Sequence, residues 1–508
     1  MKNLTYFLSA VLLGCMLLSS TACKKVLELE SKENPSSNKF WQNERDARAG
    51  LMGGYSLLRE ALLDRNRYYV YGDVPANTFR ITYYSDYAIH QLRDGSLDGS
   101  YYGGLEQLQD WSMFYKAIAQ TNLLVAKIPG IPDNSFKPGY KGYYLGESYY
   151  LRSFIYFFIS RVWGDVPLVL DPVEDVAEAK NYGREKQAIV LKQCLDDLDK
   201  AIPILPEQPI SANDRGVRAT RASALALKAH IYAWMKDYVK CEEATRDIVA
   251  NPAKFGLTFI TDSLQYQKMS IGRSTEAIFE ISVNYDQNEG QDMETPGDYK
   301  WSLGYKTLFD PYVSFRKAKK ADDVPWLVLE ATSKKLYKDS GDLRKSIWFY
   351  QDPSDKELLM LKKYSNVIYK DGDVQKDAWF SNNILIFRLS DIMLLRAEAL
   401  YKTSREGDAR MLVNQIRSRA HLKEADPTLT GENFFRYLIY ERHRELFAEG
   451  HAFWDELRTG TIEDFNPTFN GSVTPGNPKF GMNYWPIPRI LFKDNLLMKQ
   501  TPYWNGRI

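Results

Sequence analysis

Three glutamates near the C-terminal end, Glu441, Glu445 and Glu449, recur every four residues, so they share a face of any helix that contains them. Two carboxylates about 5 to 9.5 Å apart across a cleft can hydrolyse a glycosidic bond. Acids one helical turn apart reach that separation without any cleft, so this spacing has little diagnostic value. Arginines in the same stretch offer ion pairs instead, such as Glu441–Arg444 and Arg442–Glu445. We therefore predict a structural role for these acids and no catalytic residue.

Histidines in the same stretch raise the question of a metal site. His443 and His451 could join Glu445 and Glu449 as ligands, but the His-Glu-x-x-His pattern is absent from the sequence. Packing or solvation accounts for both histidines better, so we predict no metal. The sequence also lacks a phosphate-binding glycine loop before a helix, a nucleophile elbow and a Cys-x-x-Cys pair. We expect no cofactor, and we favour a binding protein over an enzyme.

The spacing of apolar residues indicates which secondary-structure element carries these glutamates and histidines. Six apolar residues fall on one helical face: Phe435, Leu438, Ile439, Leu446, Phe453 and Leu457. The basic turn Arg458-Thr459 followed by Gly460 is typical of a helix end. The pattern predicts one long helix from Phe434 to Gly460, docked on a core.

The composition of the 508-residue chain narrows the class of partner. Lys and Arg total 66 against 65 for Asp and Glu, and no basic cluster stands out. A nucleic-acid partner is therefore not expected. The chain is rich in aromatic residues, with 34 tyrosines and 11 tryptophans. Their rings serve cores, interfaces and stacking platforms alike, including platforms for the C–H faces of sugars.

Four cysteines are present, and their positions predict different environments. Cys15 lies within the apolar N-terminal run, whereas Cys194 and Cys241 lie in helix-like patterns. The latter two are expected to be small buried hydrophobic residues. A disulfide between them remains open, because an exported protein meets oxidising conditions.

The N-terminus resembles a lipoprotein signal. Lys2 precedes an apolar run over residues 6–18, and small residues lead directly to Cys23. We expect a signal peptide over 1–22, acyl chains on Cys23 and a polar tether over 23–38 that anchors the protein to a membrane surface. Simple secretion with cleavage near Ala22 is the alternative.

Helical spacing dominates residues 39–255 and returns after 380. An alanine-rich stretch over 220–234 suits close helix contacts. Residues 256–380 are rich in Gly, Pro and Asp, and they predict an irregular, loop-rich insertion packed on the helices. The tyrosine-rich region from Arg67 to Gly104 lacks periodicity, so we expect it at the surface. Ligand contact and packing on the helices explain its tyrosines equally well.

Short motifs spread over the mature chain carry a resemblance. They include Trp111-x3-Tyr115-x2-Ile118, Gly164-Asp165-Val166-Pro167, Glu276-Ala277-Ile278-Phe279-Glu280, Arg388-x2-Asp391, Glu441-Arg442-His443-Arg444-Glu445 and Trp485-Pro486-Ile487-Pro488. Each is weak alone, but together, in this order beneath a lipoprotein-like signal, they resemble the SusD/RagB family of outer-membrane nutrient-binding lipoproteins. Ala452 stands where the family usually has Arg, and Thr501-Pro502-Tyr503 shortens its usual ending.

This resemblance implies a mainly α fold in which tetratricopeptide-like helix pairs form a right-handed superhelical scaffold. It divides the chain into an N-terminal SusD-like helical region, 39–255, and a C-terminal SusD/RagB region, 256–508. It also implies a lipid-anchored protein at the outer membrane, facing the cell exterior and covering a SusC-like TonB-dependent transporter. The usual ligands of the family are glycans, and some relatives serve peptides.

Six aromatic residues in the two loop-rich regions are our candidates for stacking on sugar rings: Tyr83, Tyr84, Tyr101, Tyr102, Trp301 and Tyr305. Neighbours such as Asp86, Asn288 and Asp298 could bind hydroxyl groups. Core or loop packing is the alternative for each. For the whole protein, binding of a peptide or another nutrient, a protein-only scaffold and a glycoside hydrolase remain the alternatives to glycan binding.

Overall fold

The computed structural model describes residues 40–81, 92, 95, 105–173, 180–284, 289, 302–313, 324–356, 358–369, 372–374 and 378–507. The expected signal peptide, Cys23 and the tether lie outside these residues. The helices are α1 Glu44–Leu63, α2 Arg67–Gly72, α3 Leu105–Gln109, α4 Ser112–Lys127, α5 Tyr140–Trp163, α6 Gln187–Ala201, α7 Arg221–Trp234, α8 Tyr238–Ala250, α9 Ser263–Lys268, α10 Leu303–Thr307, α11 Glu330–Leu336, α12 Leu343–Trp348, α13 Leu389–Lys402, α14 Glu406–Arg419, α15 Gly431–Glu445, α16 Ala452–Thr459, α17 Ile462–Phe465 and α18 Ile490–Asp494.

The strands are short: β1 Phe79–Ile81, β2 Ala277–Ile281, β3 Trp326–Val328, β4 Phe349–Gln351, β5 Leu359–Leu361, β6 Val367–Tyr369, β7 Ala378–Phe380 and β8 Ile384–Arg388. They form antiparallel pairs, β1 with β3, β2 with β8, β4 with β5 and β6 with β7. The mainly α fold class is confirmed.

Successive long helices pack on their neighbours in the chain. Contacts link α4 to α5, α5 to α6, α7 to α8, α13 to α14 and α14 to α15, and α8 also packs on α13. The alanine-rich stretch lies in α7, and its Ala229 and Ala233 form a small core with Cys241 of α8 and Ala399 of α13. Side chains this small let helix axes approach closely.

The predicted long helix from Phe434 to Gly460 is wrong, because α15 ends at Glu445 and α16 begins only at Ala452. Between them, Ala448 and Gly450 have positive φ values of 58° and 77°. The turn is held by side chains from elsewhere, since Tyr364 Oη donates to the Ala448 carbonyl at 2.7 Å and Gly450 N–H donates to Asp73 Oδ2 at 2.8 Å. The predicted stop at Gly460 is confirmed, with φ at 80°.

The start of the tyrosine-rich region is also not at the surface. Residues 67–72 form α2, and Tyr68, Tyr69 and Tyr71 are all buried. Tyr68 Oη donates to the Glu449 carbonyl at 2.9 Å, so α2 packs under the turn that separates α15 from α16. The expectation of exposure failed here because aromatic side chains with one polar tip suit a core that offers carbonyl acceptors.

Cys194 and Cys241 are buried free thiols, so the disulfide left open by the sequence is not formed. Among the helices that the structure describes, none is both long and apolar enough to cross a membrane.

Candidate functional site

Glu441 lies at the centre of a buried ion cluster. Its carboxylate accepts hydrogen bonds from Arg344 Nη1 at 2.7 Å, Arg444 Nη2 at 2.8 Å and Arg417 Nη1 at 3.2 Å. Burial pushes the pKa of Glu441 upward, but these three guanidinium groups together hold it below its usual value. The Glu441–Arg444 pair is therefore confirmed as one part of a larger cluster.

Glu445 occupies the next turn of the same helix and has different partners. Its carboxylate accepts from Arg388 Nη1 and Arg419 Nη2, each at 2.7 Å, and from Tyr266 Oη at 2.7 Å. Against the effect of burial, the neighbouring arginines lower the pKa of Glu445 to about 2. The expected Arg442–Glu445 pair is wrong.

Arg442 binds acids of two other helices instead of Glu445. Its Nε donates to Asp455 Oδ2 at 2.7 Å, and its Nη2 lies 2.7 Å from Asp391 Oδ1. The spacing along one helix could not reveal these partners, which come from α16 and α13. The ion pairs of Glu441, Arg442 and Glu445 therefore tie α15 to the elements around it.

This arrangement suits structure better than acid–base catalysis. Glu441, Glu445 and Glu449 are each at most 1% exposed, so a substrate cannot reach them. Carboxylates held ionised by arginines cannot donate a proton near neutral pH. A substrate would also have to displace ion pairs whose loss leaves a buried charge unpaired.

A different group of residues has the geometry of a metal site. His230, Asp391 and His451 each place one ligand atom within 4.8 Å of the others, and all three are buried. However, His230 Nε2 is bonded to Asp391 Oδ2 at 2.9 Å and His451 Nε2 to the Ile386 carbonyl at 3.0 Å. The Arg442 guanidinium lies beside the same carboxylate. A metal ion would face that positive charge, so the donor set fits a hydrogen-bonded core group better.

His443 forms a second buried pair that the sequence did not indicate. Its Nδ1 lies 3.1 Å from Glu456 Oε1, yet the geometry is not that of a hydrogen bond. Burial lowers the pKa of His443 to about 3 and raises the pKa of Glu456 well above its ordinary value. His443 is therefore uncharged near pH 7, which confirms packing as the better account of this histidine.

The elements that flank Tyr83, Tyr84 and Trp301 in the chain meet at one small sheet. Ile81, the last residue of β1, pairs with Trp326 at the start of β3. Residues 82–91 follow the first strand and 314–323 precede the second, while α10, which follows Trp301, packs against β3. The C-terminal region contacts this small sheet, since Asn77 Nδ2, just before β1, donates to the Phe465 carbonyl at 2.6 Å.

Of the six candidate aromatic residues, the structure describes one. Tyr305 lies in α10, half-buried, with its ring centroid 6.0 Å from that of Phe380. It packs against a small core of the insertion that contains Leu308 and Met360. Its role in ligand contact stays a prediction. The other five, Tyr83, Tyr84, Tyr101, Tyr102 and Trp301, lie outside the described residues, as do Asp86, Asn288 and Asp298.

A cavity next to β2 was missed by the sequence reasoning. Its polar side chains come from four separate segments, so no spacing could have assembled them. One signal was available: Glu280 stands in a five-residue strand whose other members are Ala, Ile, Phe and Ile, all buried. A carboxyl group in such a strand needs a reason.

Comparison with known proteins gives a consistent result along the chain. Residues 74–233 match a family model described as "Starch-binding associating with outer membrane", and residues 329–504 match one described as "SusD family". The SusD-like protein P38 of Formosa agariphila is 28% identical over 509 residues, covering 92% of this chain and 94% of that protein.

Two Bacteroides thetaiotaomicron proteins extend the comparison. The starch-binding protein SusD is 28% identical over 169 residues, which is 33% of this chain and 30% of that protein. The crystal structure of a SusD homologue superimposes with a TM-score of 0.75 at 25% identity, covering 92% of this chain and 99% of the other.

Proposed function

We propose that this chain, which belongs to the SusD/RagB family, binds a glycan at the cell surface and passes it to a SusC-like TonB-dependent outer-membrane transporter. The observation that carries the proposal is the match of residues 74–233 to a starch-binding family model associated with the outer membrane. That match includes the segments that hold Tyr83, Tyr84, Tyr101 and Tyr102.

We place the ligand on the aromatic residues of the two loop-rich regions. The geometry supports this placement because β1, β3 and α10 bring the flanks of these regions together. Flat rings with polar tips suit sugars, whose C–H faces stack while their hydroxyl groups form hydrogen bonds. Tyr83, Tyr84, Tyr101, Tyr102, Trp301 and Tyr305 are the proposed contacts.

Anchoring is the second part of the proposal. The signal over 1–22 and the cysteine at position 23 support lipidation, and the polar stretch over 23–38 is long enough to act as a tether. The helical regions 39–255 and 256–508 then form the part that binds ligand and transporter.

We propose that the protein binds its ligand without cleaving it. The buried acids of α15 are engaged by arginines, which supports this part. A relative named for starch binding supports it as well.

Calorimetry on the chain beginning after Cys23, with a panel of oligosaccharides and with peptides, tests the proposal. Product analysis of the same mixtures separates binding from cleavage. We expect saturable binding of a glycan with no new product. Binding of peptides alone, or release of shorter sugars, contradicts it. Co-purification of the full-length lipoprotein with a transporter from membranes tests the partnership separately.

A further inference from the structure

A polar cavity of about 300 Å³ lies between α1, the loop before α7 and strand β2. The charged side chains that line it are Arg48, Arg59, Asp214, Arg218, Arg273, Glu280 and Glu289. Its volume is at the lower end of the range for ligand pockets, roughly 300–1,000 Å³. It therefore suits a ligand the size of one sugar ring. The aromatic candidates of the proposed glycan surface are not among its described lining residues.

Two of the four arginines are already paired. Arg218 forms a two-point ion pair with Glu147, with N···O distances of 2.5 and 2.6 Å. Arg59 Nη2 lies 2.6 Å from Glu289 Oε1, and Arg59 Nε donates to the Ser282 carbonyl at 2.8 Å. Their charges are largely balanced within the protein.

The other two arginines have no acidic ion-pair partner in the part of the chain that the structure describes. Arg48 is exposed at the rim. Arg273 Nε donates to the neutral carbonyl of Asn213 at 3.0 Å. Guanidinium groups without an acidic partner in a concave site are suited to a carboxylate, which they can bind through two parallel hydrogen bonds.

Glu280 supplies an independent sign that the cavity takes a ligand. It is 1% exposed, and its Oε2 accepts from the Arg273 backbone N–H at 2.9 Å and from Asn383 Nδ2 at 2.8 Å. Its Oε1 has no hydrogen-bond partner among the described residues. Buried polar atoms are rarely left unpartnered in proteins, so a ligand hydroxyl is a natural partner here.

We propose that this cavity binds a small hydroxylated carboxylate, of the size of a single sugar acid. Arg48 and Arg273 bind its carboxylate, and Glu280 bonds to one of its hydroxyl groups. The acids Asp214 and Glu289 in the lining favour a monoanion over the more highly charged phosphate. This site goes beyond the proposed glycan surface and does not depend on it.

Binding of D-glucuronate, compared with D-glucose and inorganic phosphate by calorimetry, tests the proposal directly. We expect D-glucuronate to bind at least about tenfold more tightly than either, since one charge-assisted pair accounts for such a factor. Equal binding of glucose, preference for phosphate or no binding of glucuronate overturns it. None of these outcomes bears on oligosaccharide binding by the aromatic segments, which the separate panel measures.

Two substitutions on α1 provide a matched comparison. Arg48→Gln removes a lining guanidinium from the rim, whereas Arg45→Gln removes an exposed one from the same helix that does not line the cavity. We expect Arg48→Gln to weaken glucuronate binding about tenfold and Arg45→Gln to leave it unchanged. Equal effects of the two substitutions contradict the assignment.

The pH dependence tests the role of Glu280. Burial raises the pKa of Glu280 to about 7, against the opposing effects of Asn383 and Arg273. Glu449 is the further charge that raises it, and the other charged groups at the cavity are Arg48, Arg59, Asp214, Arg218 and Glu289. Above that pKa the ionised carboxylate repels an anionic ligand, so wild-type affinity should fall as the pH rises through 7. Glu280→Gln should abolish this fall, and an unchanged pH profile contradicts the role.

Discussion

Arg388 of β8 forms a two-point ion pair with Glu449, which lies in the turn that separates α15 from α16. Arg388 Nε donates to Glu449 Oε2 at 2.8 Å, and Nη2 donates to Oε1 at 2.9 Å. The same Oε1 accepts from Lys363 Nζ at 2.5 Å, and both acid and arginine are at most 2% exposed. This pair connects β8 to the turn on which the C-terminal helices depend.

Arg388→Met should lower the free energy of unfolding by about 3–5 kcal/mol, because it leaves Glu445 and Glu449 as insufficiently compensated buried charges. Urea unfolding followed by circular dichroism measures the change. Arg405→Met is the control, since Arg405 pairs with Asp408 at the surface with half of its side chain exposed. The control should cost less than about 1 kcal/mol. Similar losses in both variants would show that the buried pair stabilises the fold no more than a surface pair does.

Gly72→Ala tests the contact between α2 and the turn. A Cβ atom at Gly72 would lie 2.2 Å from the Gly450 carbonyl oxygen, so the backbones must separate. We expect a loss of about 1–3 kcal/mol or more in the free energy of unfolding. Gly407→Ala, in α14 where nothing lies within 4 Å of the added atom, should instead stabilise by about 0.5–1 kcal/mol. Equal behaviour of the two variants would contradict the close packing.

The neutral state of His443 predicts a dependence of stability on pH. Burial lowers the pKa of His443 to about 3, whereas an unfolded histidine titrates near about 6.5. Below about 6.5 the unfolded chain binds a proton that the folded chain does not, so this contribution to stability is lost progressively as the pH falls towards 3.

His443→Asn should therefore flatten the fall in unfolding free energy between these two pKa values, by up to about 1.4 kcal/mol per pH unit. Glu456 titrates with the opposite sign because its folded pKa is raised, so the comparison must be made against wild type. His421→Asn, at an exposed position with a φ of 60°, is the control and should leave the slope unchanged. A wild-type slope in His443→Asn would refute the neutral buried histidine.

Cys194 and Cys241 should react with a thiol reagent only after unfolding. Burial raises the pKa of both thiols, and both lie within packed cores. Ellman's reagent should detect two thiols in denaturant and almost none in the folded chain beginning after Cys23. Absence of both thiols in denaturant would indicate a disulfide, contrary to the structure.

The sequence predicted the helical class and the stop at Gly460, because these follow from local spacing and residue type. It could not predict the break at Ala448 and Gly450, since the turn is held by Tyr364, Lys363 and Asp73 from distant parts of the chain. A stripe of apolar residues continues through such a turn when both helices face the same core.

The same distinction between local and distant contacts applies to the candidate sites. Glu441–Arg444 is a local pair, and spacing revealed it. Arg442 finds Asp455 and Asp391 across helices, which spacing along one helix cannot show. The cavity at Glu280 requires a loop, a helix and a strand to meet, so only the unusual carboxyl group in an apolar strand hinted at it.

The measurement that tests the central claim most directly is glycan affinity in variants of the aromatic segments. Tyr83→Ala/Tyr84→Ala and Trp301→Ala should each weaken binding of the glycan found in the panel by about tenfold or more, with unchanged melting temperature. Tyr143→Ala, a half-buried tyrosine of α5 outside these segments, should bind like wild type. Wild-type affinity in both aromatic variants, or cleavage of the glycan by the wild-type chain, would contradict the account.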